Sequence, residues 1–266
     1  MSKGNLLGQG RIAEVFAWGD GQVVKLMRSS NAQGEADYEA RIARIVDTAG
    51  LSAPVFAGQV TVDGRPGLIF ERFDGPTLLT EVGQRPWRLV WAARQLGALH
   101  AQMHSVNAPG LPSLRSKLEH SIGRIPQLTP TVKDRILRRV RVLPDGDIVC
   151  HGDFHPDNVI VSARGPVVID WVTASHGPAA ADVARTAVLF MGGAMPPGID
   201  VGRRILIQTI RRIFYVIYLR TYQRRHPVPS LLIQTWFPIL AAARLNEHIP
   251  EEEARWLAVV DAAFGK

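Results

Sequence analysis

Eight consecutive residues, His151-Gly152-Asp153-Phe154-His155-Pro156-Asp157-Asn158, bring two imidazoles, two carboxylates and a carboxamide into one short segment. Apolar runs flank it: Ile148-Val149-Cys150 before, Val159-Ile160-Val161 after, then Val168-Ile169-Asp170-Trp171. Asp153, Asn158 and Asp170 therefore sit on a strand-loop-strand frame. Transfer of a phosphoryl group asks little covalent chemistry of a protein. It needs a carboxylate to accept a hydroxyl proton and oxygen ligands to hold magnesium on the phosphates. Asp153 suits the first task, and Asn158 with Asp170 suits the second.

Other chemistries fit the same residues less well. His151, Asp153 and His155 alternate as transition-metal ligands might, but no further His/Cys cluster completes such a site. Cys150 beside His151 invites a thiol nucleophile, yet neighbours on a strand point to opposite faces and cannot meet, so Cys150 is expected in the core. Gly8-Gln9-Gly10-Arg11-Ile12-Ala13 matches the spacing of a dinucleotide-binding turn. That motif requires a buried strand before it and a helix after it, whereas only residues 1–7 precede and a hairpin follows.

A site of this kind needs elements to hold it. Residues 6–27 alternate apolar and polar types around Gly19-Asp20-Gly21, which predicts a β-hairpin with Val23, Val24 and Leu26 on the return strand. Tyr38, Ile42, Ile45, Val46 and Ala49 recur at helical spacing across residues 35–49, and Gly50 stands where a helix would end. Further strands are expected over 55–61 and 67–72, divided by a turn at Asp63-Gly64, before Asp74-Gly75-Pro76 breaks the pattern. Helices are then expected over 89–104, 132–142 and 201–225, with short strands at 147–150, 159–161 and 167–170. The fold class is α+β: a β-sheet N-terminal lobe with one helix (1–73) and a larger, mainly helical C-terminal lobe (74–266), with a cleft between them suited to a nucleotide.

The 151–158 segment resembles the catalytic loop H-G-D-x-H-P-x-N of the aminoglycoside phosphotransferase and choline kinase family, a branch of the protein-kinase-like superfamily. The resemblance extends over residues 8–184 and implies a two-lobed kinase-like fold. It implies Asp153 as catalytic base, Asn158 and Asp170 as magnesium ligands, and His151 as a brace of the loop. It makes Gly8 and Gly10 part of a flap over the phosphates, with Ala13 where a third glycine is usual. Lys25, in Val23-Val24-Lys25-Leu26, matches the strand lysine of the superfamily. Glu39 shares a helical stripe with Ile42 and Val46, so it faces the core and needs a cation; it is the expected partner of Lys25, with Glu35 as the alternative. Residues 68–75 resemble the inter-lobe hinge, where the Glu71 carbonyl and the Phe73 amide would meet adenine through backbone groups. By spacing, Asp182 falls on a structural acid of the family, with Pro178 in place of an acid that usually precedes it.

The implied cofactors are magnesium and ATP or GTP, and the implied partners are a nucleotide and a hydroxyl-bearing small molecule. The chain carries a net charge of +7, but its basic residues are scattered, so neither nucleic acid nor membrane is expected as a partner. One cysteine and no apolar stretch of secretory type near the N-terminus agree with a cytoplasmic protein. Residues 183–266 hold eleven Lys/Arg and six Asp/Glu. A polycationic acceptor needs converging carboxylates, so a neutral or amphipathic hydroxyl compound fits this balance better. Tyr215, Tyr218 and Tyr222 recur at helical spacing, either as core or as an aromatic wall for an apolar or quaternary-ammonium acceptor. An alternative is a pseudokinase, a nucleotide-responsive binding module. A protein kinase is not expected, because no A-P-E-terminated activation segment follows Asp170.

Overall fold

A computed structural model of the chain describes residues 3–10, 12–193 and 198–265. Arg11 of the glycine-rich segment and the Pro196-Pro197 pair lie outside the described residues. The elements run β1 (Lys3–Gln9), β2 (Ala13–Trp18), β3 (Gln22–Met27), α1 (Ala32–Thr48), β4 (Phe56–Val62), β5 (Arg65–Glu71), α2 (Leu78–Gln84), α3 (Leu89–Met103), α4 (Leu114–Gly123) and α5 (Pro130–Val142). They continue with β6 (Ile148–Cys150), β7 (Val159–Ser162), β8 (Gly165–Val168), β9 (Ser175–Gly177), α6 (Ala179–Met191), α7 (Val201–Arg225), α8 (Ser230–Leu245) and α9 (Pro250–Phe264). By packing, the chain forms two compact units: Met1–Gln84 with Pro156–Thr173, and Arg85–His155 with Ala174–Lys266.

The first unit is built on an antiparallel sheet of order β1-β2-β3-β5-β4. The expected hairpin is β2 and β3, turned at Gly19 and Gly21, both at positive φ. Strand alternation sends Val24 and Leu26 to one face, where they meet Trp18, and Met27 to the other, where it meets Ala36 and Ala40 of α1. Lys25 shares parity with Met27 and so faces α1. Two expectations shift here. The helix begins at Ala32 and not at residue 35, and β1 adds an edge strand whose mostly exposed side chains give no alternating signal. The β7–β8 hairpin docks on this unit where Pro76 O accepts from Val161 N. Gly75 permits that approach: its φ is +148°, and a Cβ there would lie 2.1 Å from Val161 O.

The second unit is helical, apart from the β6–β9 pair. Its core gathers Ile122, Ile136, Val188, Trp236, Leu240 and Trp256 from α4, α5, α6, α8 and α9. Helix α7 has the bounds its periodicity predicts, while β9, α2 and α4 are too short to announce themselves by period. None of the described helices is long and apolar enough to cross a membrane.

Candidate active site

In the second unit, β6 delivers the chain into the loop that carries Asp153. Gly152 takes φ +79°, a left-handed turn that glycine accepts without strain. The Asp153 amide donates to His151 Nδ1 at 3.2 Å. The Asp153 carboxylate lies 3.4 Å from His155 Nε2 and 3.8 Å from Arg185 Nη2 and keeps 27% of its side-chain surface exposed. Burial pushes its pKa up, but the His155 hydrogen bond and the charges of His155, Arg185 and His151 outweigh that and hold it at about 2. Asp153 is therefore an anion throughout the physiological range. Arg185 also braces the loop, donating from Nε to Gly152 O at 2.9 Å, while Thr186 Oγ1 donates to Phe154 O at 3.1 Å.

In the first unit, Lys25 Nζ stands 2.7 Å from Glu39 Oε1 and 3.2 Å from Asp170 Oδ1. Of the two carboxylates weighed for Lys25, Glu39 makes the ion pair. Burial lowers the ammonium pKa, yet the two carboxylates more than offset it and Lys25 stays charged. Asp170 is one of three non-glycine residues with positive φ among those described, at +62°. An aspartate held in that region is mildly strained, a condition that clusters at functional sites. Ile169 N donates to Asn158 O at 3.0 Å, tying the backbones on which Asn158 and Asp170 sit at the mouth of the β7–β8 hairpin.

The other residues expected at the site lie in β1 and β5 and just after them. Gly8 is in β1 and Gly10 follows it, with Gly10 N donating to Ala13 O at 2.9 Å. Neither has positive φ, and an added Cβ would meet nothing within 4 Å at Gly8 and only Ala13 O, at 3.6 Å, at Gly10. Glu71 ends β5 and Phe73 follows it; Arg164 clamps both, with Nη1 2.7 Å from Glu71 Oε1 and its guanidinium 4.2 Å from the Phe73 ring centre. Cys150 is buried, and burial raises its thiol pKa well above the usual range, as befits a core residue.

Sequence reasoning singled out Asp182 but missed what surrounds it. Its Oδ2 accepts from His151 N at 2.7 Å, His100 Nε2 at 3.0 Å and His104 Nε2 at 3.2 Å, and its Oδ1 accepts from Gly152 N at 2.9 Å. With both Nε2 atoms donating to a carboxylate, each Nδ1 is left as an acceptor. Tyr218 and Tyr222 hydroxyls fill those positions at 2.6 and 2.7 Å. The two tyrosines are thus buried hydrogen-bond partners and not an aromatic wall; a buried phenol needs such a partner. His100, His104 and Asp182 are close enough to cage a metal ion, but four N–H donors already occupy the carboxylate, so the cluster is a hydrogen-bonded brace. The signal available in the sequence was the pair of i,i+4 spacings, His100 to His104 and Tyr218 to Tyr222.

Burial, then the charge of His104, holds the His100 pKa down at about 4, against 6.5 for an ordinary histidine. Between those values the unfolded chain binds a proton that the folded chain refuses, so stability is lost as pH falls through this window. Urea unfolding at pH 6.5 and 4.5 should show wild type losing on the order of 2 kcal/mol more than His100→Gln, at about 1.4 kcal/mol per pKa unit. Equal losses would contradict the assignment.

The sequence model of the phosphotransferase enzyme family matches residues 3–213. No curated protein matches the sequence. Solved structures do match in fold. A thermostable mutant of aminoglycoside phosphotransferase APH(4)-Ia, in ternary complex with AMP-PNP and hygromycin B, superposes with a TM-score of 0.63 at 17% identity, covering 98% of this chain and 92% of that one. The amicoumacin kinase hAmiN, in complex with AMP-PNP, calcium and Ami, gives 0.63 at 14% identity, with 97% and 88% covered. Macrolide 2'-phosphotransferase MphH from Brachybacterium faecium gives 0.52 at 18% identity, with 98% and 90% covered. The N-terminal antiparallel sheet, the mainly helical remainder and the family match over 3–213 agree: this chain has the α+β, protein-kinase-like fold and belongs to the phosphotransferase enzyme family.

Proposed function

We propose that this protein transfers the γ-phosphoryl group of magnesium-bound ATP or GTP to a hydroxyl of a small molecule. The observation that carries the reading is Lys25 Nζ bridging Glu39 and Asp170. One fixed ammonium then serves the nucleotide phosphates while staying tied to the residue that would hold the metal. Asn158 and Asp170 offer a carboxamide and a carboxylate oxygen, the hard donors magnesium prefers, and bound there the ion would neutralise phosphate charge during transfer. Gly8 and Gly10 lack side chains although neither packing nor backbone conformation among the described residues demands it, which leaves their backbone free to approach phosphates. The Glu71 carbonyl and Phe73 amide are the backbone groups proposed for adenine. Asp153, anionic at neutral pH, orients the acceptor hydroxyl and takes its proton.

A neutral or amphipathic acceptor suits the second unit. Glu247 is paired with both Arg185 and Arg244, at 2.5 Å each, and Glu252 with Arg244 at 2.9 Å. The carboxylates joined through Arg185 to the Asp153 loop are thus already neutralised and offer little to a polycation.

Purified protein incubated in parallel with Mg-ATP and Mg-GTP, and with a panel spanning aminoglycosides, macrolides, amicoumacin, choline and simple polyols, should phosphorylate one acceptor class by mass spectrometry. Nucleotide bound without transfer to any acceptor or to water would instead indicate a binding module. In the active protein, chelation of magnesium should stop transfer. Asp170→Asn should raise the magnesium concentration for half-maximal rate at least about tenfold, the loss seen when even an outer-shell partner of a metal is disturbed. An unchanged requirement would remove Asp170 from the metal site.

A further inference from the structure

Resting on that reading, we propose that Tyr218 and Tyr222 of α7 are positioning residues for Asp153, acting through His100 and His104 on the Asp182 carboxylate that holds the catalytic loop. Two parallel arms make the connection. Tyr218 donates to His100 at 2.6 Å and Tyr222 to His104 at 2.7 Å; both imidazoles donate to Asp182 Oδ2, at 3.0 and 3.2 Å. Asp182 in turn accepts the amides of His151 and Gly152, the two residues immediately before Asp153. Every side chain in both arms is buried. Water therefore cannot replace a missing hydroxyl at no cost.

The arms have a direction. The carboxylate fixes the proton on Nε2 of each imidazole, so Nδ1 must accept, and a tyrosine hydroxyl is the donor supplied. Without it, a buried Nδ1 lone pair is left unmatched, and the ring is released to turn or change tautomer, loosening its bond to Asp182. His100 of α3 and its C-cap residue His104 lie one turn apart, as Tyr218 and Tyr222 do on α7, so the arms lie in register. Gly97 lets the helices come this close: a Cβ there would lie 2.5 Å from Tyr218 O and 2.9 Å from Thr221 Cβ. Tyr218 and Tyr222 lie beyond residue 213, where the family match ends. The C-terminal half of α7 thereby gains a hold on the catalytic loop, and a ligand or partner that shifted α7 would shift Asp153.

Hydrogen exchange on the full-length protein tests this with Tyr218→Phe, Tyr222→Phe, the double variant, and Tyr215→Phe as a control one turn earlier on α7. In the double variant the His151 and Gly152 amides should exchange about tenfold faster or more, the effect of losing one buried hydrogen bond. Tyr215→Phe should leave them at the wild-type rate. Turnover of Mg-ATP should fall in kcat with KM for the nucleotide unchanged. In a His104→Asn background, Tyr222→Phe should add nothing, because that arm is already cut. Unchanged loop exchange, acceleration spread equally over the whole second unit, or simple additivity of His104→Asn and Tyr222→Phe would each overturn the proposal. If the wild type turns over no nucleotide, the functional reading fails, and the exchange data still decide this one.

Discussion

Asp153→Asn should slow phosphoryl transfer by about 10³-fold while the protein still binds nucleotide. The substitution keeps size and shape, so the loop, with its Arg185 and Thr186 bonds to the Gly152 and Phe154 carbonyls, stays in place. What it removes is an anion. A hydroxyl can donate to a carboxylate and leave its proton there as the bond to phosphorus forms; a carboxamide cannot take that proton. Loss of a positioned general base lowers rates by about 10²- to 10⁴-fold, and a fall in kcat of about 10³-fold is expected. The nucleotide dissociation constant, measured by calorimetry, should not move, because Lys25, Asn158 and Asp170 are untouched. With the Asp153 pKa at about 2, any acid limb in the rate between pH 5 and 8 belongs to another group. A variant that turns over like wild type would end the role assigned to Asp153.

Asp182→Ala has the largest expected effect on stability. It strips four donors of their acceptor at once: two backbone amides and two imidazoles, all buried or nearly so. Breaking a buried charged network by removing one partner costs about 3–5 kcal/mol. For a chain of this size, about 2–4 °C per kcal/mol brings the melting temperature down by roughly 10 °C. Asp182→Asn should recover little, since its amide nitrogen would face N–H donors. Scanning calorimetry decides it, with Asp157→Ala as the exposed comparison. A melting temperature equal to wild type would mean that Asp182 braces nothing.

Segment 151–158 was legible because its residues are neighbours in the chain: eight positions bounded by apolar strands declare a loop without help from the rest of the fold. The Lys25–Glu39 pair was legible for a related reason. Strand parity gives the face of Lys25, helical period gives the face of Glu39, and both elements have enough residues to show their period. Edge strand β1 and the short elements α2, α4 and β9 had no such signal, being exposed, brief or both. The three tyrosines of α7 show where periodicity stops informing. It puts Tyr218 and Tyr222 on one stripe but cannot say whether that stripe meets solvent, an acceptor or another helix.

The sequence by itself thus determined the fold class and the facing of Lys25 and Glu39, because each rests on contacts within an element or between elements of clear period. Only the tertiary structure decided that segment 156–173 packs with the first unit, that Arg185 stands beside Asp153, and that Asp182 grips the loop with a histidine and tyrosine layer behind it. His100 is 82 residues from Asp182 and 118 from Tyr218. No local pattern records such distances. Those partners meet because burying α3, α6 and α7 together leaves polar groups that must find one another away from water.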